Sequence, residues 1–148
     1  MAAARRARSG PLPDGLYWTD VVAAAVGRQD PSDQRSQAQV KFAFVIAEGD
    51  YRGRRLWLNI GVANDAGMRV LGDCMNLLGL ANMADLLEVL PQLAGVRWQV
   101  QCKTVTQENG KEYRNVYPRA RGADGRDMPA LLAQMRLLQP EHSWPFAS

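Results

Sequence analysis

Histidine, cysteine and lysine are scarce in this 148-residue chain, and each scarcity excludes a class of chemistry. The one histidine, His142, sits in a Pro-bounded tail between Glu141 and Ser143. A Ser-His-Asp or Cys-His arrangement would rest on that residue alone, so no catalytic residue is assigned. The two cysteines, Cys74 and Cys102, lack C-x-x-C spacing and have no histidine beside them. No metal site is expected, and two buried free thiols are the default, with a disulfide between them left open. No apolar run approaches the ~18 residues of a membrane span, and no apolar segment comes after the basic start as in a signal peptide. These absences point to a soluble intracellular binding protein with no cofactor rather than an enzyme.

The remaining composition fits one ordinary domain with tails. Apolar residues make up 47% of the chain, and 18 basic residues against 15 acidic ones leave a net charge of +3. Arginine supplies all but Lys41, Lys103 and Lys111 of the basic set. Arginine makes bidentate contacts to phosphate and stacks on rings, although codon bias in a GC-rich genome produces the same excess.

Residues 1–14 read as a disordered basic arm, with Arg5, Arg6 and Arg8 among Ala, Ser, Gly and Pro. A transit peptide has a similar composition, and so does a tail without function. Leu16 to Val26 reads as a strand whose Ala run is ambiguous, and a polar loop runs from Gly27 to Ser36. A hairpin comes next. Val40, Phe42, Phe44 and Ile46 alternate with smaller or polar residues, as do Leu56, Leu58, Ile60 and Val62. The intervening Glu48–Gly53 carries two glycines suited to positive φ.

Asn64 or Asp65 is placed to cap a helix in which Val70, Leu71, Cys74, Leu77 and Leu78 recur at helical spacing, with Gly79 as its stop. A shorter helix spans Met83 to Leu90 before Pro91. Strand periodicity returns at Val96, Trp98, Val100, Cys102 and Thr104, and Asn109-Gly110 signals a second hairpin. Its return strand, Glu112 to Tyr117, is expected to end at Pro118. Residues 120–148 form an extension, with a candidate helix from Pro129 to Leu138 and a Trp144-Pro145-Phe146 tail. Asp124 and Asp127 are read as caps of that helix.

Three strands, a helical insertion and two more strands match the connectivity of the OB-fold, a five-stranded Greek-key barrel, over residues 15–119. The strands and turns are basic, whereas the insertion is acidic through Asp65, Asp73, Asp85 and Glu88. Single-stranded nucleic acid is held by such a cationic groove with aromatic platforms. The candidate platforms are Trp57, Tyr51, Tyr113 and Tyr117; the candidate phosphate contacts are Arg52, Arg54, Arg55, Arg97, Lys103, Lys111, Arg114 and Arg119. Trp98 is in phase with Val96 and Val100 and belongs to the core, and Trp18 to the core or a barrel end. Trp57 is in phase with polar residues and fits either role. Tyr51 fits either a platform or packing over its own turn.

Five segments carry a resemblance: Gly15-Leu16-Tyr17, Glu48-Gly-Asp-Tyr-Arg-Gly-Arg54, Leu78-Gly79-Leu80, Leu93-Ala-Gly95 and Asn109-Gly-Lys-Glu-Tyr-Arg-Asn115. In order and spacing the sequence resembles a small phage-encoded family, long labelled a domain of unknown function, found in replication and recombination cassettes. Its members are regarded as OB-fold single-stranded-DNA-binding proteins. The resemblance implies sequence-tolerant binding of single-stranded DNA in the bacterial host cytoplasm, a homodimer or larger homo-oligomer, and replication or recombination partners. The tail departs from the acidic tip common in such proteins, since Glu141 is its only acid and two residues lie beyond Phe146. A protein-interaction module on the same barrel, such as a phage accessory or host-inhibitory factor, is the alternative.

Overall fold

Every strand of the protein alternates an apolar side with a polar or small one, and the apolar sides meet in one core. The computed structural model describes residues 11–138. The arm residues Arg5, Arg6 and Arg8, together with His142 and the Trp144-Pro145-Phe146 tail, lie outside the described residues. The elements run β1 (Gly15–Arg28), β2 (Ala38–Ile46), β3 (Arg55–Gly61), α1 (Asp65–Leu78), α2 (Met83–Val89) and a 3₁₀ turn (Leu90–Gln92). They continue with β4 (Arg97–Thr106), β5 (Glu112–Arg121) and α3 (Met128–Leu137). The five strands form one antiparallel sheet in the order β3-β2-β1-β4-β5. The chain is thus mainly β, with three α-helices among the described residues.

β1 serves two neighbours. Its first part pairs with β4 from Gly15 to Asp20, and its later part pairs with β2 from Thr19 to Arg28. The register shifts between Val21 and Ala23, so Val22 is an extra residue. Such a bulge bends a strand and flips the phase of the residues beyond it. Thr19 and Val21 face inward before it and Ala24 after it, where Ala24 stands opposite Phe42. The Ala run is therefore strand, despite alanine's helical preference, because β2 supplies its ladder.

The core is aromatic at its centre. Trp98 is fully buried, with ring centroids of Phe42 and Phe44 at 5.4 and 5.9 Å. The Thr19 hydroxyl donates to the Trp98 carbonyl at 3.0 Å, which satisfies a buried polar group on the inner face. Leu12 is 2% exposed and joins this core, and the Asp14 carboxylate accepts from the Thr104 backbone N–H at 2.9 Å. Residues 11–14 thus pack on the sheet, in contrast to the disordered arm expected there. An apolar side chain just beyond the strand end lowers the cost of ordering them.

β5 continues through Pro118 to Arg121, past the end expected from the sequence. It is an edge strand, and its register with β4 shifts between Gln99 and Val100, beside Pro118. Edge positions and bulges are where a strand tolerates the missing N–H of proline. Beyond it, Met128 and Leu132 of α3 enter the same core as the sheet. The Asp127 side chain caps α3 by accepting from the Ala130 N–H at 3.0 Å. Asp124 is not a cap. Its carboxylate accepts from the Arg97 and Arg126 backbone N–H groups and from Arg121, tying β4, β5 and the loop together.

α1 starts on Asn64, whose side chain accepts from the Gly67 N–H at 2.6 Å, and ends on Gly79 at φ 72°. It packs on β3 and β5, the two sheet edges, which also approach each other. The acidic surface of α2 has an internal partner: Arg136 of α3 reaches Asp85 at 2.6 Å and Glu88 at 3.4 Å. Cys74 and Cys102 are buried free thiols. Among the described residues no single helix is long and apolar enough to cross a membrane.

Candidate nucleic-acid interface

The outward side of β3 carries Arg55, Trp57 and Asn59, because Leu56 and Ile60 between them face the core. Register decides the surroundings of the tryptophan. Trp57 stands opposite Ala43 of β2, which in turn stands opposite Ala23 of β1. These small neighbours leave the indole nothing tall to pack against, and it is 62% exposed. The adjoining row is Asn59, Lys41 and Ala25, so a lysine lies diagonal to the indole. A large ring over small neighbours, with Arg55 on the same outward side of β3, is the shape of a stacking platform; the Lys41 side chain extends over Gly27 of β1.

Trp57 also lines a cleft of about 430 Å³ between β3 and β5. The far wall is β5, with Arg114, Asn115 and Tyr117, and α1 closes one side at Ala66 and Gly67. The cleft thus brings together three of the residues singled out from sequence: Trp57, Arg114 and Tyr117. Arg114 donates to the Leu12 carbonyl at 3.4 Å, a long contact. The Arg119 guanidinium carbon lies 5.3 Å from the centroid of the Tyr117 ring, and its Nε donates to Gln101 at 2.8 Å. Lys103, opposite Asn115, and Tyr113, 44% exposed, continue this outward side of β4 and β5. No carboxylate lines the cleft among the described residues.

The other sequence-derived candidates sit elsewhere. Tyr51 is half-buried, its ring edge-on to Tyr17 at 6.2 Å, so it packs against its own sheet. Tyr17 in turn donates its hydroxyl to the Pro13 carbonyl. Arg97 is ion-paired with Asp20 at 2.9 Å, with both side chains partly exposed. Arg52 is exposed in the β2–β3 turn, where Arg54 is also found, and Lys111 is exposed in the β4–β5 turn. Lys41, Gln37, Gln39, Asn59 and Asn115 carry no motif that marks them in the sequence as site residues. Outward phase in the hairpins was the usable signal for four of them. The convergence of Gln37, Gln39, Asn59 and Asn115 on one cleft depends on two sheet edges far apart in the chain.

Among the described residues no group of three His, Cys, Asp or Glu side chains is placed to hold a metal ion. A scan of known protein-family models finds no match to this chain, and a search of curated proteins finds none either.

Proposed function

We propose that this protein binds single-stranded DNA along the outward side of β2 and β3 and into the β3–β5 cleft. The observation that carries the reading is Trp57, held exposed over alanines at the mouth of a cleft with an arginine, a second aromatic ring and no carboxylate among the described residues. A base stacks on the indole, while Arg55, Lys41 and Arg114 neutralise phosphates. The strand order, with α1 and α2 inserted between β3 and β4, supports an OB-type Greek-key barrel with β3 and β5 on either side of the binding cleft. The reading is of a binding protein rather than an enzyme. The role extends, through the resemblance of its turn motifs, to phage replication or recombination, with self-association and partner proteins from that process.

Titration with oligo-dT at two salt concentrations tests it. Three phosphate contacts at about −0.7 each give a log–log salt slope near −2. Trp57→Ala is expected to weaken binding by ~1–3 kcal/mol. A Kd weaker than ~100 μM at low salt, or one indifferent to salt, sinks the reading.

A second reading, a protein-interaction module, is favoured by an apolar groove of about 380 Å³ lined by Val26, Val62, Met68, Met83 and Leu87. Exposed apolar surface of this kind marks association sites. Loss of oligo-dT binding with an intact fold would leave this reading standing alone.

A further inference from the structure

We infer that the β3–β5 cleft reads the edge of one unpaired base, so that binding is tolerant along the strand but selective at that position. The inference rests on the single-stranded-DNA reading and adds a specificity to the same site. Its basis is the chemistry of the lining. Gln37, Gln39, Asn59 and Asn115 all line the cleft, and none of these amide side chains makes a hydrogen bond among the described residues. Each amide offers two donor hydrogens and an acceptor oxygen. Unused donors and acceptors beside two aromatic rings match a flat heteroaromatic ring with alternating donors and acceptors on its edge. Unstacked bases are recognised in this way, by stacking on aromatic side chains and hydrogen bonding along their edges.

Other ligand classes fit less well. A phosphate site would gather cations, and Arg114 is the only charged residue of this lining among the described residues. Sugar sites join aromatic rings to carboxylates that bind hydroxyl pairs, and this lining has none among the described residues. A purely apolar ligand would strand four amides without partners, at a cost for each. The other charged groups lie one position removed from the lining: Arg55 two residues before Trp57 on β3, Lys41 opposite Asn59, Lys103 opposite Asn115, and Arg119 over the Tyr117 ring. That division of labour leaves Arg114 as the one phosphate contact at the lining, the other cations outside it, and a base within.

The test compares dA, dC and dT homo-oligonucleotides of roughly 16 nucleotides, the upper end of a single-domain footprint. Wild-type affinities should differ by about fivefold or more between the best and worst homopolymer. In Asn59→Leu the spread should collapse to less than about twofold, with the salt slope unchanged. Gln39→Met is the companion variant, placed on a different strand and expected to narrow the spread as well. Both keep side-chain size at outward-facing positions, and circular dichroism checks the fold. Equal wild-type affinity for all three homopolymers overturns the base-reading inference while leaving single-stranded-DNA binding intact. So does a wild-type spread that both variants retain. Binding to none of the three overturns the underlying reading as well.

Discussion

Replacing Gly67 by alanine sets two opposing effects on one residue of α1. Inside a helix, glycine costs about 1 kcal/mol relative to alanine, so local propensity predicts that Gly67→Ala stabilises the protein. The tertiary contact predicts the reverse. A Cβ on Gly67 would lie 1.8 Å from the Gly61 carbonyl oxygen and 2.8 Å from its carbon, far inside the 3.4 Å at which ordinary contact begins. Both atoms belong to the backbone of β3, so no rotamer change relieves the clash, and α1 has to move away from the sheet edge. Overpacking of this kind costs ~1–3 kcal/mol, here at its upper end because only backbone can yield. Set against the propensity gain, the net loss is about 2 kcal/mol, or a fall in Tm of roughly 4–8 °C for a chain of this size. Gly72 in the same helix is the control, because a Cβ there meets nothing within 4 Å. Gly72→Ala should therefore stabilise by up to about 1 kcal/mol. Thermal melts of the two variants beside wild type read both signs at once. A Gly67→Ala protein as stable as wild type would refute the argument that α1 is seated by backbone contact.

The packing and the buried charges set three further outcomes. Trp98→Ala should cost about 3–5 kcal/mol in urea unfolding, whereas Trp57→Ala should leave the midpoint nearly unchanged, because one indole is buried and the other exposed. Equal losses in the two variants would contradict the assignment of faces. Burial works against ionisation of Asp124, but hydrogen bonds from Arg121 and from the Arg97 and Arg126 N–H groups outweigh it and hold its carboxyl below the usual range. A depressed carboxyl contributes stability in full above its unfolded value of about 3.9 and loses it as pH falls through the lower folded value. Asp124→Asn should therefore destabilise near neutral pH, with the gap to wild type narrowing in acid. A gap that widens in acid reverses that sign. Burial also pushes the Cys74 thiol up to about 12 and the Cys102 thiol up to about 11. Folded protein at pH ~8 should give no colour with a thiol reagent, and both thiols should react once it is unfolded in guanidinium. Rapid labelling of the folded state would show that one of them is accessible.

Local pattern carried much of the architecture. Phe42 and Phe44 are buried because they share a phase with Val40 and Ile46, and that phase is readable two residues at a time. Asn64 and Gly79 bound α1 through hydrogen bonds that span only a few residues, so their roles too are visible in the sequence. The assignment of Trp98 to the core rests on the same alternation. Trp57 is ambiguous in the sequence for the opposite reason, since an indole among polar residues is exposed only if its cross-strand neighbours are small.

Those neighbours are a matter of register, and register belongs to the tertiary structure. Pairing with β2 and β1 puts Ala43 and Ala23 beside Trp57, and it also turns the Ala run of β1 into strand. Only the fold brings Asp20 of β1 to Arg97 and Arg136 of α3 to the acidic α2. The scarcities in the sequence determined that the lone histidine and the two separated cysteines offer no local catalytic motif. Only the folded chain placed Asn59, Asn115 and Tyr117 around one cleft, because hydrogen-bonded ladders and a shared core bring strands together regardless of their distance in sequence.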